Sequence, residues 1–340
     1  MSPSPVSQFS SERYRVPNGA GWDLAMVRSW SERTLDRSRR PLLIVPGYGM
    51  NSFIFGFHPR GVSLEGFLVE AGFEVWRVDL RAQGESVSTG GTRDFQLEDL
   101  AVTDVSAAVQ HALAHTGCRA DRVDMIGASL GGTLMFAHAV LEKNHRIASM
   151  VSMGGPVRWV KIHPALRIAF SSPAFAGWLQ FRGTRKMAEV VLPLVARFAP
   201  SVLSIYMNPE LNDLSAAREM VKTVEDPNRH INREIAHWFR ERDLVIRGVN
   251  ITDGLSAVTN PLLCIVANSD GIVPPEVAAF PCERVASSVR TVLTVGNETM
   301  AMAHADLFVS NTAHETVFRP IATWLAERYA PTPAPRRVEV

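Results

Sequence analysis

The sequence predicts an α/β fold: a mostly parallel sheet with helices on both faces and a helical cap inserted over one edge. Three observations point to it. Short apolar runs alternate with segments of helical periodicity, the pattern of a parallel sheet covered on both sides. The alternation stops between residues 156 and 255 and then resumes. A Gly-x-Ser-x-Gly turn, Gly127-Ala128-Ser129-Leu130-Gly131, joins an apolar run to a helical one.

Taken in order, residues 22–29 and Leu42-Leu43-Ile44-Val45-Pro46 read as strands, the second a continuous apolar run of the kind buried inside a sheet. Residues 63–71 read as a helix and Phe73–Leu80 as the next strand, and a loop follows from Arg81 to Gly91. In residues 97–115, Val102, Val105, Ala108, Val109 and Leu113 recur at helical spacing. Strands are expected at 122–126, 147–152, Leu262–Ala267 and Val289–Val295, with a helix after Ser129 and a last one at 313–329. The domain division is then a core of residues 1–155 and 256–330, a helical cap at 156–255 and a disordered Pro-rich tail at 331–340. An insertion at that place would lie over the C-terminal edge of the strands, where α/β sites form.

Bulk composition narrows the function classes. The chain of 340 residues is 46% hydrophobic and 20% charged, enough for a large globular core. A net charge of +1 gives no electrostatic case for a nucleic-acid partner. Cys118, Cys264 and Cys282 follow no metal or redox spacing, and their odd number speaks for a reducing compartment. Met1 to Arg15 lacks the apolar core of a signal peptide, and no uninterrupted apolar run reaches the length of a membrane span. The expectation is a cytoplasmic protein without an integral membrane segment; a homo-oligomer stays open.

The Gly-x-Ser-x-Gly turn carries the chemistry. In a strand-to-helix elbow, glycines two residues either side of the serine are needed because a Cβ there would crowd the neighbouring strand and helix. A serine hydroxyl is a poor nucleophile and requires a base, usually a histidine oriented by a carboxylate. For an elbow the chain order is Ser, Asp or Glu, His. Asp270 stands just beyond the strand Leu262–Ala267, and His304 in the loop after Val289–Val295, so both fit that order. Asp306 is the rival carboxylate, so close to His304 that bracing the loop is its expected role; His314, inside the last helix, is the rival base. The oxyanion of acyl transfer needs backbone N–H donors. Leu130, following the nucleophile, would give one, and Tyr48 in Pro46-Gly47-Tyr48-Gly49 the other.

With these pieces in place the chain resembles the α/β-hydrolase superfamily over residues 20–330. The likeness rests on Pro46-Gly47-Tyr48-Gly49, Val78-Asp79-Leu80-Arg81-Ala82-Gln83-Gly84, Gly127-Ala128-Ser129-Leu130-Gly131-Gly132, Asp270 with Ile272-Val273-Pro274, and His304. The resemblance implies an α/β-hydrolase fold with an eight-stranded sheet, a Ser–Asp–His triad and no metal or organic cofactor. Asn51-Ser52-Phe53-Ile54-Phe55, Leu64–Leu68 and Asp270-Gly271-Ile272-Val273-Pro274 are similar to the branch of polyhydroxyalkanoate synthases and lipase-like esterases. The synthases carry cysteine where this chain has Ser129, which favours hydrolysis through an acyl-serine. Pro46 stands where many members have histidine, which removes a side chain but leaves the Tyr48 amide intact.

Phe170, Phe175, Trp178, Leu179, Phe181, Leu192, Leu194, Phe198 and Met207 make the inserted segment apolar. A cap of this kind favours a small-molecule ester with an apolar acyl group, though most of these side chains are expected to pack the cap itself. Lys161, Arg167, Arg182, Arg185 and Lys186 could meet an anionic group, a solvated face being the simpler reading. The expected activity is carboxylic ester hydrolysis. An acyltransferase with the same triad, or a binding protein that has lost catalysis, are the alternatives the sequence does not separate.

Overall fold

The computed structural model describes residues 9–170 and 183–329. The predicted tail 331–340 and the cap residues Phe175, Trp178, Leu179, Phe181 and Arg182 lie outside the described residues.

Eight strands form the spine of the sheet: β1 (Ser10–Pro17), β2 (Trp22–Trp30), β3 (Leu42–Val45), β4 (Val75–Asp79), β5 (Val123–Ala128), β6 (Ile147–Met153), β7 (Leu262–Ala267) and β8 (Arg290–Val295). Their spatial order is β1-β2-β4-β3-β5-β6-β7-β8, and a ninth strand of two residues, Val87–Ser88, pairs with β2. The six strands from β4 to β8 run parallel, while β2 joins β4 and β1 joins β2 antiparallel. This is the α/β-hydrolase architecture expected from the motifs.

Alternation along each strand builds two cores. Leu43 and Val45 of β3, with Leu262, Cys264 and Val266 of β7, face the helices α2 (Val105–His115) and α3 (Leu130–Leu141). Leu42, Ile44, Leu263, Ile265 and Ala267 face α1 (Leu64–Glu70) and, at the chain's other end, the helix Arg319–Ala326. Each of these buried Leu, Ile and Val side chains contributes about 1.5–3 kcal/mol relative to leaving it in water.

The sequence reading missed β1. Its residues Ser-Ser-Glu-Arg-Tyr-Arg-Val-Pro are mostly exposed, and the strand forms the sheet's outer edge. Charges such as Glu12, Arg13 and Arg15 guard an edge against pairing with another chain, and they also erase the apolar signal of a strand.

The described residues between β6 and β7 are mainly helical, with α4 (Thr184–Phe198), α5 (Arg229–Glu241) and several short turns of helix. They also hold a hairpin, Val245–Ile246 with Val249–Asn250, that the sequence reading did not foresee. Asn228 caps α5, its side chain accepting from the amides of His230 and Ile231. The helix buries Ile231, Ile235, Trp238 and Phe239, and Trp159 packs edge-on to Trp238 and Phe239 at 5.4 and 4.3 Å. Among the described residues, no helix is long and apolar enough to cross a membrane.

Candidate active site

The parallel strands deliver their C-terminal ends to one edge at nearly one level: Val45 pairs with Gly127, Ala128 with Met153, and Ala267 with Val295. The chain leaves β3 toward β4 and returns to β5 on the other side of β3. That reversal opens a crevice between the ends of β3 and β5, the usual seat of a ligand in an open α/β sheet. Tyr48 follows β3 there and Ser129 follows β5.

Ser129 has φ 52° and ψ −123°, a backbone conformation unfavourable for a residue with a Cβ. Its surroundings hold it there. A Cβ on Gly127 would lie 2.5 Å from the Gly131 carbonyl oxygen, and one on Gly131 only 2.2 Å from that of Val45. The Ser129 amide donates to the Met153 carbonyl at 2.8 Å, and its own carbonyl accepts from Gly132 at 2.8 Å. The serine is half-buried at the head of α3. The elbow is formed as the motif implied.

Asp270 and His304, 34 residues apart, are both buried and joined: His304 Nδ1 lies 2.6 Å from Asp270 Oδ2. The other carboxylate oxygen, Oδ1, accepts from the amides of Ile272 and Val273, each at 2.8 Å. The carboxylate therefore cannot rotate without breaking those bonds, and it fixes the imidazole through Nδ1. Asn268 ties the two loops together, its Oδ1 accepting from the Met302 amide at 2.8 Å and its Nδ2 donating to the Asn297 carbonyl at 3.0 Å. The rivals do other work. Asp306 accepts hydrogen bonds from backbone and Asn212, and His314 bonds the Val62 carbonyl at 2.7 Å, away from this loop pair.

Sequence reasoning missed Gly154. It follows β6 with φ +62°, and a Cβ there would sit 3.0 Å from His304 Cε1 and 3.6 Å from Asp270 Oδ2. The Met153–Gly154 step thus touches both halves of the site: Met153 receives the Ser129 amide while Gly154 makes room for the imidazole. Among the described residues the Ser129 hydroxyl makes no hydrogen bond. Catalytic hydrogen bonds commonly shorten only when substrate is bound. Gly154→Ala is expected to push the imidazole off its line and lower kcat about 10–100-fold with KM little changed, measured by ester kinetics beside a thermal melt.

The two expected oxyanion donors flank the crevice. Among the described residues, neither the Tyr48 nor the Leu130 amide donates a hydrogen bond within the protein. Gln83 braces the Tyr48 loop by donating from Nε2 to the Gly47 carbonyl at 3.2 Å, while its Oε1 accepts from Leu80. Asp79 ties the segments on either side, accepting from Ser52 at 2.7 Å and Glu85 at 3.0 Å. The Tyr48 hydroxyl, its pKa raised by burial, donates to the side chain of Asn232 in α5. Tyr48 therefore links the crevice to the inserted segment.

A cavity of about 290 Å³ opens beside these amides. Leu130, Leu134, Phe95, Leu100 and Ile231 supply apolar walls, and Arg93, Asp94, Glu225, Asp226 and Arg229 ring it. Of the apolar residues picked out in the insertion, Met207 is buried and Phe170 packs on Phe239, while Leu194 and Phe198 are 51% and 72% exposed. Of the cations, Lys161 pairs with Glu276 and Arg185 with Glu225, while Arg167 and Lys186 are exposed to solvent.

The comparisons with known proteins agree with the fold. A pimeloyl-[acyl-carrier protein] methyl ester esterase of Vibrio campbellii is 21% identical over 282 residues, spanning 78% of this chain and 91% of the relative. A soluble variant of monoglyceride lipase from Saccharomyces cerevisiae is similar in structure, with TM-score 0.62, 16% identity and coverage of 96% of this chain and 99% of that one. Esterase RhEst1 from a Rhodococcus species gives TM-score 0.59 at 17% identity over 93% and 98% of the two chains. The model of the family described as serine aminopeptidase, S33, matches residues 37–297, and the chain belongs to that family of α/β hydrolases.

Proposed function

We propose that the protein hydrolyses carboxylic esters with an apolar acyl group, through an acyl-serine intermediate on Ser129. The observation that carries the reading is the 2.6 Å contact between His304 and Asp270 at the sheet edge that also bears the strained Ser129 elbow.

In this reading His304 Nε2 takes the Ser129 proton as the hydroxyl oxygen attacks the ester carbonyl, and Asp270 stabilises the imidazolium. The amides of Tyr48 and Leu130 hold the oxyanion. Collapse of the tetrahedral intermediate expels the alkoxide, which receives the proton from His304 and leaves as alcohol. Water then attacks the acyl-serine, giving its proton to His304, and the acid departs as Ser129 regains its hydrogen. Residues 156–255 act as the cap, and Phe95, Leu100, Leu130, Leu134 and Ile231 of the adjoining cavity offer an acyl chain an apolar wall inside a charged rim.

Esters are favoured over peptides with a free N-terminus because Arg185 offsets the charge of Glu225 and Arg229 that of Asp94. Glu225 accepts from Asn51, Gly84 and Arg185, Asp226 from the amides of Gly183 and Thr184, and Asp94 meets Arg229 and His230. The similarity to proteins named as esterases and lipases supports the same choice.

Hydrolysis of p-nitrophenyl esters from acetyl to palmitoyl, beside an aminoacyl p-nitroanilide, tests it. The expected result is Ser129-dependent turnover that peaks at medium or longer chains and is absent on the anilide. Activity confined to acetyl would refute the apolar acyl site. Absence of turnover on every ester would refute the hydrolase reading and bring the acyltransferase and binding alternatives forward.

A further inference from the structure

One stretch of the inserted segment, Ile205–Asn212, runs along both loops that carry the acid and the base. The Gly271 amide, next to Asp270, donates to the Ile205 carbonyl at 3.1 Å, and the Ala305 amide, next to His304, donates to that of Tyr206 at 2.8 Å. A Cβ on Gly271 would lie 2.7 Å from the Ile205 side chain, so only glycine permits this approach. Asn208 Nδ2 donates to the Ala301 carbonyl at 2.7 Å, and the Tyr206 ring lies 6.2 Å from the imidazole of His304. Asn311 closes the far end, its amide donating to the Leu211 carbonyl at 2.8 Å.

Asp306 is the knot of this lacing. It is fully buried, yet it gathers three donors from two sides. From the His304 loop, the Ala303 amide reaches Oδ2 at 2.7 Å. From the inserted segment, the Asn208 amide lies 3.1 Å from both oxygens and Asn212 Nδ2 2.5 Å from Oδ1. A carboxylate that served only to turn the loop would need the first of these bonds alone. Burial, with the nearby charge of Asp270, raises the carboxyl to about 6, so its place is held against an electrostatic cost.

We propose that Asp306 is a positioning residue which pins the His304 loop to the Ile205–Asn212 segment, so that the cap holds base and acid in register and does more than cover them. The proposal rests on the reading of Ser129, Asp270 and His304 as the triad. It makes Asn212, whose side chain contributes to the knot from the cap side, part of the same device.

The test compares Asp306→Asn, Asn212→Ala and the double variant. Asn at 306 keeps the shape but turns an NH2 toward amide donors. Asn212→Ala removes two bonds, to Asp306 Oδ1 and to the Asn208 carbonyl, and leaves the buried carboxylate its two backbone amides, so it is the milder change of the two. Two signals are read on folded protein: kcat and KM on a p-nitrophenyl ester, and the far-downfield proton NMR resonance of the short His304–Asp270 hydrogen bond. Each single variant is expected to lower kcat about tenfold or more with KM within about twofold, and to shift or broaden the resonance. The double variant is expected to fall no further than the worse single one, because both cut the same link. Wild-type kcat and an unchanged resonance in folded Asn212→Ala and Asp306→Asn would overturn the proposal, as would losses that multiply. If the wild type shows the resonance but no Ser129-dependent turnover, the hydrolase reading fails separately, and the resonance alone decides on the clamp.

Discussion

Replacing Ser129 with alanine is expected to lower kcat for a carboxylic ester by on the order of 10⁴-fold or more, with KM little changed. The substitution deletes one oxygen and keeps the Cβ, so the elbow is left standing: the bonds that pin it run through the Ser129 backbone to Met153 and Gly132. What is lost is the atom that forms the acyl-enzyme bond in the proposed mechanism. What stays is the pair of Tyr48 and Leu130 amides, so a residual rate above the uncatalysed one should persist. Steady-state kinetics checks this, with circular dichroism to show an unchanged fold. A fall of less than about tenfold would mean that the bond-breaking step does not pass through this hydroxyl.

The second large effect belongs to Asp270→Asn, expected to cost about 10³–10⁴-fold in kcat at neutral pH. Two backbone amides, of Ile272 and Val273, already claim Oδ1. In the variant the remaining oxygen must stay on them, which turns the new NH2 toward His304 Nδ1. The imidazole can accept that hydrogen bond only by carrying its own proton on Nε2, and an Nε2 that bears a proton cannot take one from Ser129. The geometry barely changes while the tautomer inverts, so KM should hold and the far-downfield resonance of the His304–Asp270 hydrogen bond should vanish. Near-normal kcat in this variant would show that Asp270 only shapes its turn.

The chemistry was more legible in the sequence than its support. The central strands announce themselves because both faces are covered, so Leu42–Val45 and Leu262–Ala267 are unbroken apolar runs. Ser129, Asp270 and His304 could be chosen because an elbow dictates the chain order of its partners and because strand ends in a parallel sheet share one edge. The edge strand β1 was lost because its charges face solvent. Gly154 was lost for a different reason: its function depends on the register that sets the end of β6 beside the loops after β7 and β8, which no local pattern encodes. The bond from Tyr48 to Asn232, 184 residues away, and the clamp at Asp306 are likewise products of how the insertion folds back on the core. Leu194 and Phe198 of the insertion are exposed: apolar periodicity marks a helix face but not what that face meets.

The central claim is that Ser129 is the nucleophile, and chemical trapping tests it most directly. The protein is treated with a fluorophosphonate, digested and sequenced by mass spectrometry beside the Ser129→Ala variant. The account predicts one covalent phosphonate on the peptide containing Gly127-Ala128-Ser129-Leu130-Gly131, absent from the variant. An unmodified Ser129, or an adduct that persists elsewhere once Ser129 is gone, would contradict it.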